Sequence, residues 1–531
     1  MNTRSRTYSS VPVSAAALGL LVALGGPSVA QSERPPAAAP AWFTEAWRLL
    51  EAGRADEARA TIERHLVEVP DDGDAHYLLG LVHERRGDAG AARSAYEAAL
   101  GHDPKLAEAH DRLGFLLGQA GRTEDAIARF REAARLKPAL FDAQYHLGAT
   151  LWWTKQPAEA LPALQAAVKL QPKHAESRFY LGLVLKQQGD LASGVAQLRE
   201  ATRIAPALAI AHNQLGAALL AWGDEDGAVA SLRRAVELDP ASTDAANNLG
   251  LALMQKGEAD EAVATFRGLV ERAPGFTIAR HNLGSAFMQK GDLEGAVSVY
   301  RELVRLEPAN AEARYNLGLA LKQKDEFEAA EAELKRAVEL DRTLPEPPYT
   351  LAVLLWQTGR GAEALPLLRE AIARKADYAD AHFVLGTVLR QQGQAEEALR
   401  QFHEAIRHQP EAAEAWLSLG QVLQQRKDPE GAARAFAEAD RLNKKKADAQ
   451  ASRVALTAGL KMLAGKDAEG ALAQFREAVR LDPGNARAHY QLGLALRARG
   501  QAAEAGRHID EARRLAPYLA PPPGARAAAP R

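Results

Sequence analysis

No cysteine occurs in the 531 residues. Disulfides, thiolate metal sites and cysteine nucleophiles are thereby excluded. Aromatic residues make up only 6% of the chain, while alanine, leucine, glutamate and arginine dominate, a composition that favours helices. Neither sign of charge is in surplus: 66 basic residues face 68 acidic ones, a net of −2. A nucleic-acid footprint would show as a strongly basic stripe, and none is present. No segment reaches the ~20 consecutive apolar residues needed to span a bilayer. The chain is too long for one ordinary compact core, so several domains or an elongated array is expected.

The longest apolar stretch sits at the start. Arg4 and Arg6 precede the run Val11–Gly26, no acid accompanies them, and Ser28 and Ala30 then supply small residues before Gln31. These three parts make a secretory signal peptide, 1–30, cut after Ala30. An exported chain, periplasmic or secreted, with no stable membrane insertion after cleavage, is the expectation. Residues 31–38 read as a short linker, and the proline- and alanine-rich end, 520–531, as a disordered tail.

Between these ends one period governs the chain. Leu-Gly recurs with its glycine at 80, 114, 148, 182, 216, 250, 284 and 318, steps of 34. Ala352 takes the next step, followed by Gly386 and Gly420, and after a slip of five residues Gly459 and Gly493 resume it. Ala46 precedes the series, which makes fourteen repeats, 39–446 and 452–519, around a helical spacer at 447–451. Alanine recurs twelve residues after this marker, as at Ala58, Ala92 and Ala126. A large side chain follows four later, such as Tyr96, Phe130, Leu164 and Phe266, and proline closes most repeats, as at Pro70 and Pro104. Seven after the marker stands glycine (Gly87, Gly121, Gly189, Gly223, Gly257, Gly291), suited to the left-handed residue that ends a helix. Asp88, Asp190, Asp224 and Asp292 follow it, placed to cap the next helix.

The pattern of aromatic or histidine, Leu-Gly, alanine, large apolar residue, alanine and proline at period 34 resembles the tetratricopeptide repeat. The resemblance implies an all-α, right-handed superhelical solenoid of fourteen helix-turn-helix units, A and B, with an extended concave surface. It also implies a non-catalytic scaffold that binds protein or peptide ligands in that groove. Alternatives of another class are an accessory subunit of a cell-envelope enzyme or polysaccharide-export complex, and a small-ligand receptor or unrecognised enzyme. At "ADRLNKKKADAQASRV", 439–454, glycine and proline are both absent, so helix B of repeat twelve should run on into helix A of repeat thirteen. Repeats thirteen and fourteen are expected to pivot there as a pair.

Histidines 76, 110, 212, 382 and 489 share one position, four before the marker, a whole repeat or more apart. That spacing suits packing and does not converge on one ion. No nucleophile elbow, phosphate loop or dinucleotide fingerprint occurs. The reading is therefore no enzyme, no metal and no cofactor. Partner-binding candidates lie on helix A. Three before the marker stand Tyr145, Phe179, Tyr315, Tyr349 and Phe383, and four after it Trp152 and Trp356. Five after it run Gln255, Gln289, Gln323, Gln357 and Gln391. Asn248, Asn282 and Asn316, two before it, are similar to the asparagine ladder in the repeat domain of O-linked N-acetylglucosamine transferases. No transferase domain follows, so that likeness carries no catalysis. Aromatic anchors with adaptable amides suit an extended polypeptide.

Overall fold

A computed structural model describes residues 39–517 and 519; the expected signal peptide, linker and C-terminal tail lie outside them. Among the described residues there are 27 helices, from Ala41–Glu51 to Ala502–Leu515, and no strand. They alternate as A and B helices of about 13 and 14 residues, for example Gly73–Arg85 with Ala89–His102. The chain divides into two compact bodies. One holds the described residues up to Trp222 with Asp226–Asn248; the other holds Gly223–Glu225 and the residues from Leu249 on.

Each repeat closes in the same way. The marker glycine has no Cβ because the B helix stands in its place. A Cβ on Gly250 would lie 2.4 Å from Phe266, and one on Gly284 would lie 2.5 Å from Tyr300. Phe266 and Tyr300 are in turn fully buried. Where the marker is alanine, the facing residue is aliphatic and smaller: Ala46 goes with Ile62 and Ala352 with Leu368, all buried.

The turn from A to B needs a left-handed residue. Glycine supplies it at 87, 121, 189 and 291 among others. Lys155, Asp325, Lys427 and Lys466 occupy the same place with φ of 59°, 62°, 61° and 66°. The turn geometry therefore persists where its preferred residue is missing, against the steric cost of a Cβ. Asp88, Asp190 and Asp292 then accept from the backbone N–H groups of Ala91, Ser193 and Gly295, capping the B helices.

The turn from B to the next A is fastened by a side chain. Nε2 of His76, His110, His212, His382 and His489 faces the carbonyl oxygen of the residue six earlier, at 2.9, 3.1, 3.2, 3.1 and 3.1 Å. Gln144 and Trp416 donate to the equivalent Pro138 and Pro410 carbonyls. The shared histidine position is thus a turn lock, with the ring N–H donating. Burial pushes the His110 and His212 imidazoles below their ordinary pKa, so the neutral donor is favoured.

Pro429–Ala464 is one unbroken helix of 36 residues. It passes through the five-residue insert without a left-handed or proline residue, and Asn443 to Ala447 are exposed on every side. After the insert, Ala455 and Leu456 of this helix join Leu472, Phe475, Leu492 and Leu496 in a separate apolar cluster. Ser452 ties that cluster to the chain by donating to the Ala478 carbonyl at 2.7 Å. Long as it is, this helix is polar; among the described residues none is long and apolar enough to cross a membrane.

Candidate functional site

Residues six and three before the marker, and one and four after it, fall on one face of helix A by helical periodicity. In the second body this face carries Tyr315, Tyr349, Phe383 and Leu417 in consecutive repeats. The first three are half-buried, and Leu417 is 43% exposed. Tyr315 bonds to the Thr350 hydroxyl of the next repeat. The Tyr349 ring lies 4.9 Å from that of Tyr378. Burial pushes the Tyr349 phenol up to about 12, with Asp380 and Tyr315 adding to the effect, so it stays a neutral donor. Trp356 Nε1 donates to Gln391 Oε1 at 2.8 Å, and Arg390 Nη1 to Gln421 Oε1 at 2.5 Å. Gln289 donates to the Met254 carbonyl at 2.7 Å. Gln255, Gln323 and Gln357 are exposed, and Asn316 is half-buried.

In the first body the equivalent face is more closed. Tyr145 packs on His174 at 4.9 Å and Tyr180 at 6.2 Å. Trp152 lies against Trp153 and Tyr180 at 4.7 and 5.6 Å, and Trp153 donates to the Tyr180 hydroxyl. Both tryptophans are half-buried in packing between adjacent repeats. Asn248 donates to Asn213 Oδ1 at 2.9 Å, one repeat back. Two of the candidates leave the set a partner can reach. Phe179 is 2% exposed and Asn282 8% exposed.

His174 and Tyr378 were not among the candidates from sequence, yet each packs against the aromatic of the preceding repeat, His174 edge-on and Tyr378 tilted. Their signal is position: both sit eight before the marker, at the N-cap of helix A. Also missed was a pair of charges in the first body. Asp111 and His146, 2% and 4% exposed, face each other at 2.9 Å between Nδ1 and Oδ1. Burial opposes a charge on His146, but Asp111 outweighs it and raises the imidazole pKa. This pair stabilises the fold fully below the unfolded histidine pKa, and its contribution is lost as pH rises through the raised folded value. Asp111→Asn should therefore cost more stability at pH 5.5 than at pH 8.5, measured by urea unfolding at both.

Family models of the tetratricopeptide repeat match residues 43–107, 154–209, 209–242 and 461–500. The model of the Cilia and flagella-associated protein 70 C-terminal domain matches 244–453. With the helix pairs described above, the chain is a tetratricopeptide-repeat protein. Among solved structures it is similar to MamA, at 28% identity over 31% of this chain and 96% of that one, TM-score 0.30. YrrB, a TPR protein with an unusual peptide-binding site, is 26% identical over 35% of this chain and 95% of its own, TM-score 0.33. Yeast Tom70 is 14% identical over 76% of this chain and 96% of its own, TM-score 0.38. No curated protein matches. Among the described residues no cluster of histidine and carboxylate side chains is arranged to hold a metal.

Proposed function

We propose that this protein is an exported, non-catalytic scaffold that holds polypeptide partners against the A-helix face, above all in its second body. The observation that carries the reading is the row Tyr315, Tyr349, Phe383 and Leu417, accessible in four consecutive repeats. A packed core would bury such a row, and a catalytic site would break its uniformity with one distinctive cluster. Exposed glutamines beside it supply amides for a partner's main chain. Export rests on the N-terminal sequence.

Two measurements test this. Residues 31–531 serve as bait in native envelope extract, alongside a variant with Tyr315→Ala, Tyr349→Ala and Phe383→Ala. The wild type should retain specific proteins and the variant should lose them, while circular dichroism shows both equally helical. Retention of the same proteins by both forms sinks the site. For export, the chain recovered from the envelope should begin at Gln31; a chain still beginning at Met1 in the cytosol overturns that part.

A further inference from the structure

The second body carries a row of carboxylates along one edge of the aromatic face. Glu312, Glu346, Asp380 and Glu414 stand six before the marker in repeats nine to twelve, each in the first turn of its helix. Helix dipoles favour acids there, so position alone proves little. What distinguishes this row is how its members are used. In the first body the equivalent acids are engaged or isolated: Glu108 pairs with Lys137, Glu176 lies 3.3 Å from His174, and Asp74 and Asp244, unpaired among the described residues, stand in separate, non-adjacent repeats. In the second, Glu346, Asp380 and Glu414 make no hydrogen bond or ion pair with any described residue. Asp380 and Glu414 are exposed and Glu346 is half-buried.

These free acids border rings that already take a cation. Lys375 Nζ lies over the Tyr378 ring at 5.2 Å from its centroid. Tyr349 continues that surface at 4.9 Å. Tyrosine faces and unpaired carboxylates together attract lysine or arginine side chains. Burial holds all three phenols, Tyr315, Tyr349 and Tyr378, above their ordinary pKa, so none contributes a phenolate near neutral pH.

We propose that repeats nine to twelve bind an extended polypeptide segment carrying basic side chains, which lie on Tyr349 and Tyr378 and pair with Glu346, Asp380 and Glu414. The apolar parts of that segment cover Phe383 and Leu417, and exposed Gln323 and Gln357 meet its main chain. The proposal rests on the scaffold reading and adds the partner's charge. The opposite side of the same face holds Lys322 and Arg390 around Trp356, and Lys322 has no ion pair. An acidic segment is therefore the competing occupant, and the test must separate the two.

Fluorescence anisotropy with two labelled dodecapeptides, alternating Lys-Pro and alternating Glu-Pro, does so. Both favour the same extended conformation and differ in sign. The full chain should bind the Lys-Pro peptide, more weakly at 200 mM than at 50 mM salt. Glu346→Gln, Asp380→Asn and Glu414→Gln together should weaken it at least tenfold, while Lys322→Gln with Arg390→Gln should not. A single Glu346→Gln variant repeats the test if the triple variant melts early. The proposal is overturned if the Lys-Pro peptide fails to bind, if the amide variants bind it as the wild type does, or if the Glu-Pro peptide binds better and loses affinity with Lys322 and Arg390. Such a failure concerns charge alone. The envelope capture with its aromatic variant decides the scaffold reading separately.

Discussion

Phe266→Ala is expected to destabilise the second body by about 3–5 kcal/mol, the usual cost of emptying a buried aromatic site. Phe266 has no exposed surface and stands where the Gly250 side chain would be. The void cannot close, because both helices are held by the turn between them, where Gly257 stands at φ 87° and the Glu258 N–H donates to the Leu253 carbonyl. Overpacking from the opposite side, Gly250→Ala, should cost about 1–3 kcal/mol. Gly250→Ala combined with Phe266→Leu should recover much of the loss, because Ala352 with Leu368 is already that arrangement elsewhere in the chain. Urea unfolding of the single and double variants checks this. Equal losses in Gly250→Ala and in the double variant would contradict the proposed fit between helices.

Ala447→Pro should cost about 3 kcal/mol, because it removes one helical hydrogen bond and drives a ring into the preceding turn. Ala447 is exposed in the middle of Pro429–Ala464, so no packing is lost with it. Ala447→Gly at the same place should cost only about 1 kcal/mol. In a linear array each repeat is stabilised by its neighbours, so the proline should also separate melting of repeats thirteen and fourteen from the rest. Differential scanning calorimetry would show a second, earlier transition in the proline variant. A single transition at the wild-type temperature would mean that the exposed stretch is not a continuous helix in solution.

The repeat architecture was legible in the sequence because its constraints are steric and local. Glycine at 250 and phenylalanine at 266 report one close approach of two helices, and Asp292 reports a cap. The accessible face was legible only in part. Phe179 and Tyr145 hold the same repeat position, yet one is buried and the other is not. Tyr145 meets His174 of the next repeat, while Phe179 meets its own chain neighbour Tyr180. A contact such as that of Tyr145 with His174 joins side chains of successive repeats, and a single repeat does not announce it. The left-handed conformations at Lys155 and Lys427 were also hidden, because the turn dictates them against the residue's own preference.

The lock between successive repeats has a consequence for how such a chain can change over time. His76, Gln144, Arg178 and Trp416 all deliver an N–H to the same carbonyl position. Letter by letter the site looks free to drift. In truth any side chain long enough to present an N–H preserves it, whether charged or neutral, aromatic or not. Repeats can therefore diverge widely there while their spacing is inherited unchanged, because what is retained is a bond and not a residue.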